Sequence, residues 1–435
     1  MAAAAMELLM VTEERTKAER AVNQEVGQEM VRMVGVGADG VGQGPVAAFP
    51  AVPGTTGQFS ADGSRLAVLS SRGVTVFDLE AGGEVASVVL DRVSMFHLSP
   101  KATQLLTFQK PTKKDKSERN LKVWDLATGQ VVWEQFQKIM ARENWPVVLW
   151  DSEEQVMLRG VTNEVHVFHP GDLASGIQRR LRLKGVSDIS IAPSGHTLMT
   201  AYVPEIKGAP ASVQVFDYSA LPSNDDRASR PQCLARRSFF KSQGVLFHWN
   251  SKGSAVLVTA FSDVDTTNQS YYGEQNLHFM ASDGSLECQV PGLKEGPIHD
   301  VQWAPNGEFF VAIHGFMPAK TTLFSERCKP IYDFGSGPRN TVKWSPFSRF
   351  LLLGGFGNLP GDMEFFDRKA DGKCKLIGKT RVPMTVDCAW APDGRHVYTS
   401  TTAPRMRVDN GFKVFRYNGE QVHEELAPVL YEVAW

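Results

Sequence analysis

The chain has 435 residues, of which 42% are hydrophobic and 10% aromatic, so it is long enough to bury a large core. Its 46 lysines and arginines nearly balance its 48 aspartates and glutamates, which excludes a global basic field for nucleic acid or membranes. The five scattered cysteines form no zinc-ligand pattern, and no apolar run is long enough to span a membrane. We therefore expect a cytoplasmic protein with reduced thiols and with no metal, cofactor or membrane partner.

The first 28 residues are predicted to form a helical extension outside the main domain. This segment is rich in alanine, and Leu8, Leu9 and Val11 are expected to form the apolar side of the helix. Acidic residues such as Glu7 and Glu13 disfavour a secretory signal or a transit peptide. The main domain is assigned to residues 29–435.

A repeated anchor motif organises the main domain. Each copy has an aromatic or apolar residue, then a small or polar residue, often a proline, and then glycine or aspartate. Consecutive anchors lie 39 residues apart (Phe59 to Leu98) to 58 residues apart (Ile191 to Trp249), against about 40–45 for a four-stranded propeller blade. The excess is predicted to be loop. The eight anchors begin at Phe59, Leu98, Trp150, Ile191, Trp249, Trp303, Trp344 and Trp390.

A second motif of alternating apolar residues follows most anchors, as at residues 74–78, 121–125 and 213–217. Two-residue alternation is typical of strands that bury one face, and a ring of such sheets leaves only short edges. Only Trp124 and Asp125 spell the WD dipeptide literally. The repeats therefore predict an all-β fold, a degenerate WD-type β-propeller.

The two ends of the main domain are predicted to share a ninth blade, because a ninth anchor begins at Trp435. Residues 29–36 and 46–49 are the candidate closing strands at the N-terminal end. Since the ninth anchor is the last residue, we expect the ninth blade to be incomplete at the C-terminus.

A basic loop is predicted between the second and third strands of blade two, at residues 107–120. It carries Lys113, Lys114 and Lys116 and has a local charge of +3, from five cations and two acids. Such a loop could meet phosphate groups. The alternative is a solvated, mobile loop whose charge serves solubility alone.

Other long connections combine cations with aromatic residues on one side of the blades. Lys320, Arg339, Arg405 and Arg407 are candidates for phosphate contacts. Tyr271, Tyr272, Phe316 and Phe356 are candidates for stacking on unpaired bases. The alternative is that these aromatic side chains pack under their own loops.

Motifs for catalysis and nucleotide binding are absent or lack their context. Residues 35–40 match G-x-G-x-x-G, but Pro45 and Pro50 interrupt the helix that must follow. The chain has no phosphate-binding P-loop, no G-x-S-x-G and no H-E-x-x-H. We therefore expect no enzymatic activity.

Five loop strings resemble those of the eukaryotic translation initiation factor 2A family, the single-chain WD-repeat factor. The resemblance covers roughly residues 50–435 and is clearest from residue 200 onward. The strings are residues 271–275 (YYGEQ), 315–320 (GFMPAK), 333–340 (DFGSGPRN), 354–359 (GGFGNL) and 403–411 (APRMRVDNG).

This resemblance implies a nine-bladed propeller that binds the small ribosomal subunit. It implies support for codon-dependent delivery of initiator methionyl-tRNA without GTP, with mRNA and other initiation factors as further partners. It also implies a Lys-rich tail beyond the ninth blade that contributes RNA binding. The loop cations and aromatics named above are then the candidate contacts with the ribosome or RNA.

A second hypothesis is a WD-repeat scaffold that binds only proteins. The near-neutral net charge of -2 motivates it, because most of the surface offers nucleic acid no electrostatic attraction.

Overall fold

The structure, a computed structural model, describes residues 6–14, 28–36, 42–45, 49, 51–111, 118–193, 195–226, 228–262, 273–369 and 372–435. Within these residues the chain forms nine antiparallel sheets, which are the blades of a nine-bladed β-propeller, as the repeat predicts. Helical geometry in the described part is limited to three short 3-10 turns, Arg142–Asn144, Pro170–Ser175 and Tyr218–Ala220.

The chain divides into two compact units, of which unit one comprises Met1–Pro146 and Val382–Trp435, and unit two comprises Val147–Arg381. Unit one begins with four strands of the ninth blade, followed by blades one and two. The ninth-blade strands are β1 (Met6–Glu14), β2 (Gln28–Val36), β3 (Gly42–Pro45) and β4 (Val52–Pro53). Blade one consists of β5 (Thr56–Phe59), β6 (Arg65–Ser70), β7 (Gly73–Asp78) and β8 (Glu84–Val89). Blade two consists of β9 (Val93–Leu98), β10 (Gln104–Gln109), β11 (Leu121–Asp125) and β12 (Gln130–Gln135).

Unit two contains blades three to seven. Blades three, four and five consist of β13 (Val148–Trp150), β14 (Met157–Val161), β15 (Glu164–Phe168) and β16 (Arg179–Arg182); β17 (Asp188–Ile191), β18 (Leu198–Val203), β19 (Ala211–Asp217) and β20 (Cys233–Phe239); β21 (Gly244–Trp249), β22 (Ala255–Phe261), β23 (Gln275–Ala281) and β24 (Glu287–Gln289). Blades six and seven consist of β25 (Ile298–Trp303), β26 (Phe309–His314), β27 (Ala319–Ser325) and β28 (Pro330–Gly337); β29 (Thr341–Trp344), β30 (Phe350–Gly354), β31 (Asp362–Arg368) and β32 (Cys374–Arg381).

Unit one ends with blade eight and one strand of the ninth blade. These strands are β33 (Asp387–Trp390), β34 (His396–Thr401), β35 (Gly411–Arg416), β36 (Gln421–Leu426) and β37 (Leu430–Ala434).

Each of blades one to eight pairs its four strands in chain order. Because neighbouring strands are antiparallel, the loop between the second and third strands emerges at the same end of the sheet as the connection to the next blade. We call this end of a blade its connector side and the opposite end its turn side. All eight anchors close the first strand of their blade and so begin a turn on the turn side.

Two anchor tryptophans of unit two, Trp303 and Trp344, connect their blade to the preceding one by a hydrogen bond. The indole Nε1 of Trp303 donates to the backbone oxygen of His248 at 2.8 Å, and that of Trp344 donates to the oxygen of Gln302 at 3.3 Å. Both acceptors lie in the first strand of the preceding blade. At these two anchors a large apolar ring packs between strands while its polar group remains hydrogen-bonded.

The predicted N-terminal helix is wrong, because Met6–Glu14 is a β-strand. This strand pairs with β2, where Leu9 faces Met33, and with β37, where Leu9 faces Ala434. Four consecutive apolar residues, from Leu8 to Val11, are fully buried. A strand that is covered on both faces buries such a continuous run, whereas a surface helix would bury only one side of it. Residues 15–27 lie outside the described residues.

The predicted sharing of the ninth blade between the chain ends is confirmed. Strand β37 supplies the C-terminal part, and β1, β2, β3 and β4 supply the N-terminal part. The blade was expected to be incomplete, but the N-terminal strands complete it, and the propeller therefore begins before residue 29. Of the second candidate closing strand, residues 46–48 are not described, and Phe49 is buried edge-on against Phe77.

Candidate functional site

The loop between β26 and β27 presents Phe316 on the connector side of blade six. The N–H of Gly315 donates to the oxygen of Pro297 at 3.0 Å, which fixes the loop against the connection from blade five. Gly315 has a φ of 87°, and a Cβ there would lie 2.8 Å from the Cβ of Lys294. Phe316 is 47% exposed and Met317 is 41% exposed. The loop therefore holds two apolar side chains in solvent on a fixed backbone.

A buried histidine supports the same loop. Burial lowers the pKa of His314 to about 4, so the imidazole is neutral near pH 7. Its Nδ1 accepts the backbone N–H of Lys294 at 2.8 Å, and its Nε2 lies 3.2 Å from the hydroxyl of Thr322. The neutral ring thus joins the loop and the connection from blade five.

Phe316 also borders a cleft of about 380 Å³ between blades five and six. Three amide residues, Gln275, Asn276 and Gln289, lie on its wall, and Nε2 of Gln289 donates to Oδ1 of Asn276 at 2.9 Å. The remaining wall mixes apolar and charged groups, among them Leu277, Leu293, Lys294, Glu295 and Ile298.

Lys320 is half-buried and already paired. Its Nζ lies 3.1 Å from Oδ2 of Asp333. The N–H of Gly335, which donates to Oδ1 of Asp333, and the ammonium of Lys320 both lower the pKa of this carboxyl. A phosphate group would have to compete with this ion pair for Lys320.

Arg339 points into blade seven, where it is 9% exposed. Its Nε donates to Oε2 of Glu364 at 2.8 Å, and its Nη1 donates to the oxygen of Phe334 at 3.2 Å. The connection expected at residues 333–340 is shorter than predicted, because β28 continues to Gly337. Arg339 therefore stabilises the connector side of blade seven through buried contacts.

Phe356 lies in the loop between β30 and β31 and is only 5% exposed. The amide of Asn340 holds this loop, since its Oδ1 accepts the N–H of Phe356 and its Nδ2 donates to the oxygen of Phe356, both at 2.9 Å. A Cβ on Gly354 would lie 2.4 Å from the ring of Phe356. The ring packs under its own loop, which is the alternative left open for these aromatics.

Arg405 and Arg407 are both exposed, in the loop between β34 and β35 of unit one. The backbone of this loop is fixed, because Nδ2 of Asn410 donates to the oxygen of Met406 at 3.0 Å and Oδ1 of Asn410 accepts the N–H of Leu430. Among the described residues, neither guanidinium has a hydrogen-bonding or ionic partner. These two cations combine a fixed backbone with free side chains.

A cavity of about 1110 Å³ within unit one adjoins this loop at Ala403 and Pro404. Arg92, Lys110 and Arg142 lie on its wall. Arg92 is paired with Glu118 at 2.7 Å, while the side chains of Lys110 and Arg142 have no partner within the described ranges. The sequence did not single out Arg92 or Arg142, because each is an isolated cation in a connection without a cluster or a motif.

Two acidic residues, Glu29 and Glu432, lie on the wall of the same cavity. Oε2 of Glu432 accepts the hydroxyl of Thr56 at 2.7 Å, and burial raises the pKa of Glu432. Trp145 adds an aromatic surface, and its Nε1 donates to the oxygen of Phe96 at 3.1 Å. The cavity wall therefore mixes apolar, aromatic and charged groups, with three cations against two acids.

Five of the candidate residues fall outside the described residues. They are Lys113, Lys114 and Lys116 in the basic loop of blade two, and Tyr271 and Tyr272 in blade five. Of the candidates that are described, Phe316, Arg405 and Arg407 are exposed, whereas Lys320, Arg339 and Phe356 contribute to packing or ion pairs. In the described part of the chain, no group of acidic, histidine or cysteine side chains is arranged to hold a metal ion, and no helix is long and apolar enough to cross a membrane.

Comparison with known proteins gives concordant matches. The model of the family "Eukaryotic translation initiation factor eIF2A" matches residues 237–433. Eukaryotic translation initiation factor 2A of Dictyostelium discoideum is 35% identical over 383 residues, covering 87% of this chain and 60% of the relative. The factor of the same name from Drosophila melanogaster is 36% identical over 385 residues, covering 85% and 58%.

A solved structure described as "Crystal structure of the eukaryotic initiation factor" has a TM-score of 0.82 and 28% sequence identity, covering 99% of this chain and 98% of that chain. The chain spans about 60% of the length of the curated relatives named above. With the family model and these relatives in agreement, the chain belongs to the eukaryotic translation initiation factor 2A family.

Proposed function

We propose that the chain acts in translation initiation, in the cytoplasm, by binding the small ribosomal subunit. In this role it supports delivery of initiator methionyl-tRNA in a codon-dependent manner that does not need GTP, with mRNA and other initiation factors as partners. Family membership supports the role in initiation, since relatives named as initiation factors match 85% and 87% of this chain.

The unpaired guanidinium groups of Arg405 and Arg407 carry the proposal of an RNA contact. An exposed arginine without an ion pair binds phosphate without first breaking another bond, and its planar group suits bidentate phosphate contacts. Lys110 and Arg142, at the neighbouring cavity, add two more unpaired cations in unit one. A local patch of this kind binds RNA even though the net charge of the chain is -2.

Co-sedimentation with purified small ribosomal subunits over a salt series tests the contact. We expect the logarithm of the binding constant to fall with the logarithm of salt concentration, as it does for phosphate contacts. The variant Arg405→Glu/Arg407→Glu should bind less tightly, with a salt slope smaller by about 1–2. If the intact chain does not bind at low salt, this surface is not a ribosome contact.

A filter-binding assay tests the delivery step. Small subunits, an mRNA with one AUG codon and labelled initiator methionyl-tRNA are mixed without GTP, with and without the protein. The proposal predicts more tRNA retained with the protein, and loss of the gain when AUG is replaced by a non-initiating codon. Equal retention with and without the protein would contradict it.

A protein-binding scaffold is the second candidate, because apolar side chains are exposed on the connector side of blade eight. Val408 is 57% exposed and Leu426 is 67% exposed. Exposed apolar groups in one region often mark a protein contact. Partners that remain bound after nuclease treatment, and that Val408→Asp/Leu426→Asp releases, would favour this function over direct RNA binding.

A further inference from the structure

The cleft between blades five and six offers an unusual combination of groups. Its lining includes the hydrogen-bonded amides of Asn276 and Gln289, an exposed phenylalanine, and apolar and charged side chains, around a volume of about 380 Å³. Pockets of this size accept small planar groups when a few polar atoms are placed to orient them. The groups that define the cleft are Asn276, Gln289, Leu277, Leu293, Lys294 and Phe316.

We propose that this cleft binds one unpaired base of single-stranded RNA, with Phe316 stacking on the base and the amides of Asn276 and Gln289 reading its edge. The proposal rests on the proposed function, in which the protein works on a ribosomal subunit that presents RNA. It adds a second contact, in unit two, to the phosphate contacts of Arg405 and Arg407 in unit one.

The hydrogen-bonded amides of Asn276 and Gln289 retain donor and acceptor groups that they do not use on each other. Gln289 uses one Nε2 hydrogen on Oδ1 of Asn276, so Oε1 of Gln289 and both hydrogens on Nδ2 of Asn276 remain. Within the described residues neither side chain has another partner. Strands β23 and β24 pair His278 with Gln289, which makes Asn276 and Gln289 diagonal neighbours on one face of the sheet. A donor beside an acceptor matches the hydrogen-bonding edge of a nucleobase.

The backbone that carries the stacking group is fixed before any ligand arrives. The backbone of Gly296 approaches that of Phe316 so closely that a Cβ on Gly296 would lie 2.8 Å from the Phe316 nitrogen. The connection on the other wall is also fixed, because Oε1 of Gln275 accepts the N–H of Ile298 at 2.8 Å. An aromatic side chain on a fixed loop loses little freedom when it stacks on a base.

The charges favour a base over a phosphate group or an extended acidic chain. Glu274 is neutralised by Lys241 at 2.8 Å, and Lys294 and Glu295 offset each other at the rim. The amides also argue against an apolar peptide side chain, because covering them with carbon would bury polar atoms without partners. The cleft therefore suits a neutral, planar group with donors and acceptors on its edge.

Fluorescence anisotropy with labelled single-stranded heptanucleotides of each base tests the proposal on the full chain. We expect saturable binding with a preference for one base. Phe316→Ala should weaken binding about ten-fold, since stacking contributes about that much per base, and Phe316→Trp should restore it. Met317→Ala is the matched control and should not change binding, because Met317 is exposed beside Phe316 but does not line the cleft.

A second variant tests the reading of the base edge. Asn276→Asp keeps the oxygen that accepts from Gln289 and removes the two donor hydrogens, so the preference among the four bases should change or disappear. If no heptanucleotide binds, if Phe316→Ala binds as the unaltered chain does, or if the preference survives Asn276→Asp, the proposal is wrong. A nuclease-resistant protein partner released by Phe316→Ala would make the cleft a protein-docking site instead.

Failure here is distinguishable from failure of the proposed function. If the chain sediments with small subunits through Arg405 and Arg407 but Phe316→Ala changes no oligonucleotide binding, only the base-binding proposal is overturned. If the chain binds neither subunits nor oligonucleotides, both are overturned.

Discussion

The connector sides of blades seven and eight have similar residues but use them differently. In blade seven, Arg339 reaches Glu364 and Phe356 packs under its loop. In blade eight, Arg405 and Arg407 extend into solvent from a loop that Asn410 fixes. Both segments contain glycine or proline beside a cation. Whether a cation in such a loop is free to bind a ligand therefore depends on whether a neighbouring strand supplies an acidic partner, and not on the composition of the loop.

Removing the buried ring should have the largest effect on stability. Phe356→Ala leaves a cavity under the loop and should lower the free energy of unfolding by about 3–5 kcal/mol. Phe316→Ala, in the same unit but exposed, should change it by less than about 0.5 kcal/mol. Urea denaturation of both variants measures the difference, and equal effects would contradict the inward placement of Phe356.

Breaking the buried ion pair should come next. Arg339→Met removes one of the two partners of Glu364, whose other carboxylate oxygen keeps its ion pair with Lys379. The loss should be about 1–3 kcal/mol, because a buried carboxylate oxygen is left without its hydrogen bond. The double variant Arg339→Met/Glu364→Gln should recover part of that loss. A double-mutant cycle in urea checks this, and additive losses would show that the two side chains do not interact.

The stabilisation of the Phe316 loop by His314 should depend on pH. His314 has a pKa of about 4 in the folded chain, against about 6.5 when unfolded. The unfolded chain therefore binds more protons between these values, and stability should fall as pH is lowered from about 6.5 towards 4.

His314→Asn keeps an acceptor for the N–H of Lys294 and removes the titrating ring. This variant should lose less stability over that pH range than the unaltered chain. His248 and His278, whose pKa values burial also lowers to about 4, remain in both proteins as an internal reference. If the free energy of unfolding of both proteins depends on pH in the same way, protonation of His314 does not destabilise the folded chain.

The smallest effect on stability is expected in blade eight. Arg405→Glu/Arg407→Glu should change the free energy of unfolding by less than about 0.5 kcal/mol, since neither side chain has a partner to lose. Thermal unfolding monitored by circular dichroism checks this. A large loss would mean that the loop depends on these cations and is not fixed by Asn410 alone.

The repeat predicted the blades because two-residue alternation and the anchor turn are local signals that recur at each blade. The N-terminal strand was missed because the run from Leu8 to Val11 fits both a helix and a strand buried on two faces. The environment of Arg339 could not be predicted from its loop, since its partner Glu364 lies 25 residues away on another strand. The amide pair of Asn276 and Gln289 likewise forms only when β23 and β24 pair.

Charge reversal on the two sides of blade eight tests the ribosome contact most directly. Arg405→Glu/Arg407→Glu changes the connector side, and Arg395→Glu/Arg416→Glu makes the same charge change on the turn side. At one low salt concentration, we expect that only the connector-side variant loses co-sedimentation with small ribosomal subunits, while both remain folded. Equal binding by the two variants would contradict a ribosome contact through Arg405 and Arg407.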